Sequence, residues 1–590
     1  MTRSTLARRY APLVALGAIQ LLIIAVVPSK GAQSTVAAAT GTGAYGSLAT
    51  PGAPGAATPT GGTTAAAAGP DATIASGGGP VASGGTTATS SSPAGATAAS
   101  QSGPSAPAGD TSHCVNGRQF DPAIDFYAPP CLPKFSGDNH GATYPGVTGD
   151  TVKIVDYYDR GNDAVNQILM AEGQYISIDQ LRAFDKAAET FINSHYELYG
   201  RKVKIDVYQG TCQSIPPDVP CLRKEMDDLV ASEQPFAVKW DTSLCSACYD
   251  ELSQKHVINV GGYSFRDDFA VARRPYHWDV QESGTSLAKG FAQFYCSALQ
   301  GKPAQFAGTQ NPTDQINGRQ RVLGVIATND PENQGAINQM KAELAKCGAS
   351  VAHEYYYAQD ITTAEQQRAA GVQAMRQSPE ATTVLCFCDA VAPQFLYEEE
   401  QQENYYPENA IAGAEFMDVD SVGQSYGPGA SGGSSLACPL PQNGCEYDVA
   451  FGVSSQSVPM EPVSNNAGTR VWKLGGGQGA PPYEPVWRTW DYYSLLASLI
   501  QGAGPDLTPV NVEAGALQAP AIGGGDTGRT LRGFTKGNYG WNQDLAVVYW
   551  SRNQTSKYNG KKGAYVQIGG RHKLGEWSTT DLPIPPTAQR

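Results

Sequence analysis

The chain has 590 residues, a net charge of −14 at pH 7 and a calculated pI near 5.0. It has no cluster or stripe of Lys and Arg, which excludes the electrostatic footprint of a nucleic-acid-binding protein. It also contains neither a Walker motif nor an H-E-x-x-H zinc-protease sequence. ATP hydrolysis and zinc-dependent proteolysis therefore have no support, and we expect no cofactor.

Two N-terminal segments are predicted to precede the folded part. Residues 1–30 place three arginines before the uncharged apolar run Ala11–Val27, the pattern of an export signal. This run of about 17 residues is at the lower limit for crossing a bilayer, so a cleaved signal peptide and a retained membrane anchor both stay open. Residues 31–112 consist almost entirely of Ala, Gly, Thr, Ser and Pro, the composition of a disordered linker. We expect an extracytoplasmic protein, secreted or held on the outer face of the cytoplasmic membrane by this segment.

Strand-like and helix-like segments alternate in the next part of the chain. Thr151–Tyr158 alternates as a strand does, and Ser177–Glu197 carries apolar residues at helical spacing. Ser177 and Gln180 have the spacing of a capping box at the start of that helix. The same alternation predicts strands at Lys202–Tyr208, Phe236–Trp240, Val257–Val260 and Tyr276–Val280, with helices at Leu222–Ala231 and Ser246–Gln254. Such βαβ units predict a parallel sheet covered by helices.

The second half of the chain repeats this pattern. The predicted helices are Thr285–Leu299, Gln334–Lys346, Thr363–Arg376, Ala392–Gln402 and Trp487–Gln501. The predicted strands are Val322–Thr328, Val351–Tyr356, Thr383–Phe387, Ala410–Ala412, Tyr447–Val453, Leu545–Trp550 and Gly563–Ile568. We therefore predict an α/β domain over residues 113–590 with two parallel-sheet lobes. Lobe 1 is expected at about 146–281 with part of 446–545, and lobe 2 at about 282–445 with the C-terminal strands.

The twelve cysteines all follow the predicted linker. An exported chain meets an oxidising compartment, so disulfides are the default expectation. The candidates are Cys114, Cys131, Cys212, Cys221, Cys245, Cys248, Cys296, Cys347, Cys438 and Cys445, with sequence neighbours as the natural pairs. Cys386 and Cys388 would close a ring that is usually strained. Two alternatives stay open: a redox-active C-x-x-C at Cys245 and Cys248, and a zinc site formed by these with Cys386 and Cys388.

Several passages resemble one known family. They are YPGVTGDTVKIVDYY at 144–158, FINSHYELYGRKVKIDVYQGTC at 191–212, PFAVKW at 235–240, HVINVGGYS at 256–264, VLGVIATNDPENQG at 322–335 and GAGPDLTP at 502–509. In this order they resemble the type I periplasmic-binding proteins, the Leu/Ile/Val-binding-protein-like substrate-binding proteins of ABC transporters. The resemblance covers about residues 146–568 and implies the two-lobed type I periplasmic-binding fold, in which a hinge joins the two lobes and the lobes close on a ligand.

The resemblance also implies where the ligand contacts lie, in loops that follow particular strands. On lobe 1 these positions hold Tyr157, Trp240, Asp241, Thr242, Ser243, Gly262, Tyr263 and Ser264, and on lobe 2 Thr328, Asn329 and Asp389. Hydroxyl groups and aromatic walls would come from lobe 1, and Asp389 could hold a cation. Asp241 departs from the small residues usual at its position and would repel a carboxylate, which argues against an α-amino acid.

We therefore expect a non-catalytic protein that captures a small molecule and delivers it to the membrane permease of an ABC-type importer, as branched-chain amino acid transporters do. The ligand class stays open among amino acids, amides and aromatic acids. One alternative is a membrane-tethered sensor with the same fold. Another, from a different class, is a thiol–disulfide oxidoreductase acting through Cys245 and Cys248.

Overall fold

In the computed structural model the described residues are 109–159, 161–171, 174–240, 245–311, 315–427, 437–438 and 444–577. The predicted signal peptide or anchor and nearly all of the predicted linker lie outside these ranges. The last linker residues, 109–112, lie inside them: the Asp110 carbonyl accepts a 2.9 Å hydrogen bond from the Lys134 amide, and the two side chains form an ion pair of 3.0 Å. No helix within the described ranges has the length and apolar character that crossing a membrane requires.

Lobe 1 contains a five-stranded parallel sheet in the order β2-β1-β3-β4-β5. Its strands are β1 (Thr151–Tyr158), β2 (Lys202–Gln209), β3 (Ala237–Lys239), β4 (Ile258–Gly261) and β5 (His277–Asp279). Its helices are α1 (Asp163–Ala171), α2 (Ile178–His195), α3 (Val219–Glu233), α4 (Ser246–Gln254) and α5 (Asp267–Ala272). The capping box predicted for α2 is confirmed, because Ser177 and Gln180 exchange side-chain and backbone hydrogen bonds.

Lobe 2 contains a seven-stranded sheet in the order β12-β11-β10-β9-β8-β6-β7. Its strands are β6 (Leu323–Thr328), β7 (Val351–Tyr357), β8 (Thr383–Phe387), β9 (Glu408–Ile411), β10 (Phe451–Ser454), β11 (Leu545–Thr555) and β12 (Lys562–His572). Strands β6 to β10 are parallel, whereas β11 and β12 add an antiparallel edge. The helices are α6 (Gly284–Phe294), which continues as a π-helical turn at Tyr295–Leu299, α7 (Pro331–Ala345), α8 (Ile361–Met375), α9 (Pro393–Gln402) and α10 (Asp420–Ser425).

Three later helices return to lobe 1: α11 (Ala467–Leu474), α12 (Val486–Ala503) and α13 (Pro509–Gln518). Trp490 and Tyr493 of α12 are buried in the same core as Phe184 and Phe191 of α2. The amphipathic pattern predicts α12, whereas α11 and α13 are not among the predicted helices. Both lobes are therefore built from separate stretches of the chain.

One predicted strand differs from the structure. Tyr447–Val453 was predicted as a single strand, but Glu446–Val449 forms a short 3-10 helix and only Phe451–Ser454 is extended. The cause is the Asp448 carboxylate, which turns back to accept a 2.9 Å hydrogen bond from the Cys445 amide. The resulting strand, β10, pairs with β9 and β11 and so belongs to lobe 2.

Three segments cross between the lobes and lie side by side: one follows β5, one follows β10 and one precedes β11. Asp279 at the end of β5 exchanges backbone hydrogen bonds of 3.1 and 2.8 Å with Tyr539 and Trp541. The Gln456 side-chain amide donates to the Gln281 side-chain carbonyl at 3.1 Å. This hydrogen bond joins the segment after β10 to the segment after β5. The lobes are therefore connected by three neighbouring backbone segments, which is how a hinge is built.

His277 on β5 is expected to make lobe 1 sensitive to acid. Its ring is fully buried with Nδ1 2.7 Å from Asn259 Oδ1, and burial lowers its pKa to about 3. The unfolded chain takes up this proton below about pH 6.5, so stability is fully present above that pH and is lost as the pH falls towards 3. We expect His277→Gln to flatten the decline in unfolding free energy between about pH 7 and pH 4, measured by urea denaturation. An unchanged slope would contradict this assignment.

Candidate functional site

A cavity of about 220 Å³ lies between the lobes. Lobe 1 contributes the segments that follow β1, β3 and β4, and lobe 2 contributes those that follow β7, β8 and β9. The carboxyl ends of these six strands therefore meet at one shared cleft. Ligands of open parallel sheets bind at these carboxyl ends, so this cleft is the candidate site.

The structure brings five of the predicted contact residues into this cleft: Tyr157, Trp240, Gly262, Tyr263 and Asp389. Asp241, Thr242 and Ser243 lie outside the described residues, so their prediction has no structural counterpart here.

Three other predicted contacts are not among the residues that line the described cavity. The Ser264 amide donates to Asp279 Oδ2 at 2.9 Å, which turns this residue towards the hinge. The Thr328 hydroxyl donates to Asp330 at 2.5 Å, and the Asn329 amide donates to the Tyr357 carbonyl at 2.8 Å. Each of these residues therefore makes a hydrogen bond within its own lobe, and its contact with a ligand stays a prediction.

Tyr157 and Trp240 form the floor of the cleft on lobe 1. Their ring centroids are 4.2 Å apart, and Trp240 also packs on Tyr249. Both are almost completely buried, and the Tyr157 hydroxyl donates to the buried Glu225 carboxylate. Both residues therefore belong to the core and also line the cavity, where their rings supply a rigid apolar surface.

Asp389 occupies the corresponding position at the end of β8 in lobe 2. Its Oδ1 accepts hydrogen bonds of 2.8 and 2.9 Å from the amides of Val391 and Ala392, just before α9 begins. Its Oδ2 accepts a 2.7 Å hydrogen bond from the Tyr357 hydroxyl. The carboxylate thus stabilises the turn that starts α9, while its role towards a ligand cation stays a prediction.

The sequence prediction missed Asp159, which directly follows β1. Its Oδ1 accepts hydrogen bonds from the Ser214 hydroxyl and, at 2.7 Å, from the Gly161 amide. Its Oδ2 lies 3.4 Å from the Trp240 indole nitrogen, which donates to it. Burial raises the pKa of this carboxyl group. Asp159 therefore ties three cleft loops together, and its only sequence signal is a position directly after a strand.

Glu415 and Phe416 form a second feature that the sequence did not indicate. Both have left-handed backbone conformations, with φ of 47° and 65°, which is costly for residues other than glycine. Burial raises the pKa of Glu415 well above its usual range, and the nearby Asp389 and Asp330 add to the shift. Strained backbone at a cleft wall is a common property of ligand sites.

A buried ion pair lies beneath the cleft in lobe 1. Lys239 at the end of β3 pairs with Asp156 of β1, and both side chains are almost fully buried. The Tyr493 hydroxyl of α12 lies 2.8 Å from Asp156 and 2.8 Å from Asp185 of α2. Since Asp156 also lines the cavity, this cluster fixes the floor of the cleft to the helices behind the sheet.

The twelve cysteines form six disulfides, which join Cys114–Cys131, Cys212–Cys221, Cys245–Cys248, Cys296–Cys347, Cys386–Cys388 and Cys438–Cys445. Three of these bonds restrain loops next to the cleft, because Ser214, Trp240 and Asp389 are close to them in sequence. The four sulfurs of the alternative zinc site are bonded in two pairs. Within the described ranges no group of His, Cys, Asp and Glu side chains is arranged to hold a metal ion.

Residues 423–427 read G-Q-S-Y-G, which matches the spacing of a hydrolase nucleophile elbow. That motif requires a turn from a strand into a helix, but here Ser425 is the last residue of α10. Its hydroxyl donates to the Val422 carbonyl at 2.6 Å. The geometry of this serine is therefore that of a helix end.

No protein-family model matches the chain, and no curated protein is similar enough to match it. Solved structures do match. One is the solute-binding protein of an ABC transporter from R. palustris in complex with 4-hydroxybenzoate, with 12% identity, a TM-score of 0.49 and coverage of 72% of this chain and 99% of that one. A branched-chain amino acid ABC transporter protein from Thermus thermophilus with bound valine has 7% identity, a TM-score of 0.49 and coverage of 72% and 98%. A fatty acid ABC transporter substrate-binding protein from Thermomonospora curvata has 12% identity, a TM-score of 0.48 and coverage of 75% and 96%.

Two parallel-dominated α/β lobes, three crossing segments and a cleft at the strand ends define the architecture independently of these comparisons. Both lobes are discontinuous in sequence, as a hinged binding protein requires. On this architecture the chain has the two-lobed type I periplasmic-binding fold that the sequence resemblance implies.

Proposed function

We propose that this protein is an extracytoplasmic solute-binding protein, which captures a small molecule in the interlobe cleft and delivers it to the permease of an ABC-type importer. The observation that carries the proposal is the cleft itself, which both lobes line with the carboxyl ends of their strands. A ligand that contacts both lobes stabilises the closed arrangement by the contacts it gains there. The three crossing segments supply the hinge for this closure.

A thermal-shift screen of amino acids, amides, aromatic acids, fatty acids and sugars tests the proposal. A solute that binds the native state raises its melting temperature, by an amount equivalent to about 2.7 kcal/mol at 100 times its Kd. We expect Ala358→Trp, which fills the cleft from the segment after β7, to abolish the shift. The control Ala352→Trp places the same side chain on the exposed side of β7 and should bind as the wild type does. An equal loss of the melting-temperature shift in both variants, or a screen in which no solute shifts the wild type, would contradict binding in the cleft.

Delivery to a permease separates this function from that of a sensor. Cells that lack the protein should lose uptake of the labelled solute at low concentration, and uptake should return with the wild type but not with Ala358→Trp. Uptake that is unaffected, together with a changed transcriptional or signalling response to the solute, would instead support the sensor.

We propose further that the protein binds its ligand without a catalytic step. The Cys245–Cys248 pair, which suggested thiol–disulfide exchange, is buried at 2% and 0% exposure under the Trp240 side of lobe 1. Redox-active pairs need an accessible thiolate, so burial argues for a structural bond. The test is the rate at which the reduced protein reduces a model disulfide. A rate above that of a free thiol would support the oxidoreductase instead.

A further inference from the structure

Arg488, in the first turn of α12, is a cation in the wall of the cleft. Its side chain lines the cavity, yet the residue is only 8% exposed. Its guanidinium carbon lies 5.1 Å from the centroid of the Phe416 ring. In the part of the chain that the structure describes, no carboxylate pairs with Arg488, and its buried Nε has no hydrogen-bond partner. A desolvated, unpaired charge costs several kcal/mol, which a charged ligand can offset.

Four described carboxylates that line the cavity have hydrogen-bond or ion-pair partners within the protein. Asp156 pairs with Lys239, and Asp389 accepts from two backbone amides and the Tyr357 hydroxyl. Asp360 accepts a 2.7 Å hydrogen bond from the Thr363 amide at the start of α8. Asp159 is tied to its own loops as described above. Each of these acids therefore has a partner within the protein, whereas in the described part of the chain no carboxylate pairs with the guanidinium.

Among the described residues that line the cavity, Glu415 is the remaining acid, and its surroundings favour its neutral form; Asp241 lies outside the described residues. Its Oε1 lies 3.5 Å from the Asn333 side-chain amide. Burial, together with Asp389 and Asp330, raises its pKa well above the usual range. A protonated carboxyl group can donate a hydrogen bond to a polar group of the ligand and adds no repulsion towards an anion.

The walls next to these groups are flat and apolar. Tyr157, Tyr158, Tyr175, Trp240, Tyr263 and Phe416 all line the cavity. Aromatic side chains prefer offset or edge-to-face contacts with another ring, which gives affinity beyond the buried area alone. The planar fork of a guanidinium matches a carboxylate with two parallel hydrogen bonds.

We propose that the ligand of the cleft is an aromatic carboxylate whose carboxylate group pairs with Arg488 while its ring packs on the aromatic walls. This inference rests on the solute-binding function proposed above and adds the chemical class of the solute. Arg488 is the residue that selects the anion, and the closure of Phe416 of lobe 2 over Arg488 joins the two lobes around the bound acid.

Three probes that share one ring test the charge requirement: 4-hydroxybenzoate, 4-hydroxybenzamide and 4-hydroxybenzylamine, which are negative, neutral and positive at neutral pH. Calorimetric titration of the wild type should give the carboxylate at least about tenfold higher affinity than the amide. Arg488→Met should weaken carboxylate binding by about 10- to 100-fold, which is the range of a lost charged hydrogen bond, and change amide binding by less than about twofold. Arg488→Lys should fall between the two proteins, because it keeps the charge and loses the planar fork.

Arg182→Gln is the matched control, because it removes one positive charge from an exposed position on α2. It should bind all three probes as the wild type does. A structural role for Arg488 is tested separately by the melting temperature without ligand. Removing an uncompensated buried charge while keeping the stem against Phe416 should leave that temperature equal or higher, whereas a structural role requires it to fall.

The outcomes separate the two proposals. If the amide or the amine binds as tightly as the carboxylate, or if Arg488→Met keeps the carboxylate affinity, the inference is overturned and binding in the cleft stands. The same conclusion holds if other solutes of the wider screen bind in a manner sensitive to Ala358→Trp but the carboxylate does not. If no solute of that screen binds, the solute-binding function and the inference fail together.

Discussion

Arg321→Met is expected to lower the free energy of unfolding by about 3–5 kcal/mol, the cost of leaving a buried carboxylate unpaired. Arg321 and Glu408 are both buried, with Nη2–Oε1 and Nε–Oε2 distances of 2.8 Å. Glu408 also accepts from the Thr383 hydroxyl at 2.6 Å, and Arg321 donates to the Leu299 carbonyl at 3.0 Å. The pair therefore joins the entry to β6, the adjacent strands β8 and β9 and the end of the π-helical turn, so its loss should be felt throughout lobe 2.

Arg319→Met supplies the control two residues away. Arg319 pairs with Glu380 at 2.9 Å, but the two side chains are 44% and 28% exposed. An exposed pair contributes about 0–1 kcal/mol, so this variant should unfold close to the wild type. Urea denaturation of both variants measures the difference. The double variant Arg321→Met/Glu408→Met should recover part of the loss, because it removes the charge that the single variant leaves behind. Equal stability of the two single variants would show that burial does not decide the contribution.

Lys239→Met is the second large expected effect, with a loss of about 3–5 kcal/mol in lobe 1. Lys239 is the cation beside Asp156, and its Nζ lies 4.8 Å from the centroid of the Tyr493 ring. Without it, Asp156 and Asp185 face each other across the single hydroxyl of Tyr493, which has one proton to donate. Two buried carboxylates at this separation repel each other, which adds to the cost of removing the cation.

Lys153→Met is the corresponding control on β1. Its ammonium pairs with Glu233 at 2.6 Å and with Asp206 at 3.7 Å, at about a quarter to a third exposure. We expect a loss of about 1 kcal/mol or less from this half-exposed network. Because Asp156 lines the cavity, Lys239→Met should also weaken ligand binding, whereas Lys153→Met should not. A Lys239→Met protein with wild-type stability would mean that the floor of the cleft does not depend on this charge.

Local pattern predicted most of the secondary structure. The stripe on Ser177–Glu197 predicts α2 because one helical face is covered by the sheet and by α12, and the capping box places its start. Helix α1 is not among the predicted helices; it follows the turn residues Gly161 and Asn162, and its apolar residues Val165 and Leu169 line the cavity. Tyr447–Val449 was assigned to a strand because apolar content cannot reveal a carboxylate that folds back on its own turn.

The site was predicted only in part for a related reason. Tyr157, Trp240, Tyr263 and Asp389 follow strands, and the rule that strand ends form ligand sites applies to them directly. Arg488 lies within a helix distant from these strands in sequence, and no local pattern separates it from a surface arginine. Glu415 and Phe416 reach the cleft through left-handed backbone, which sequence reasoning does not anticipate outside glycine.

The alternation of strands and helices in the sequence by itself determined the α/β class, the two lobes and the strand ends at which a ligand is expected, because the hydrophobic period is a local property of the chain. Only the tertiary structure decided which side chains share the cleft and which of the described charged groups pair with one another. These are long-range relations: α12 reaches Phe416, and Tyr493 reaches Asp156, across hundreds of residues or between different lobes. Charge pairing depends on distances of a few ångströms, and folding alone brings such groups together.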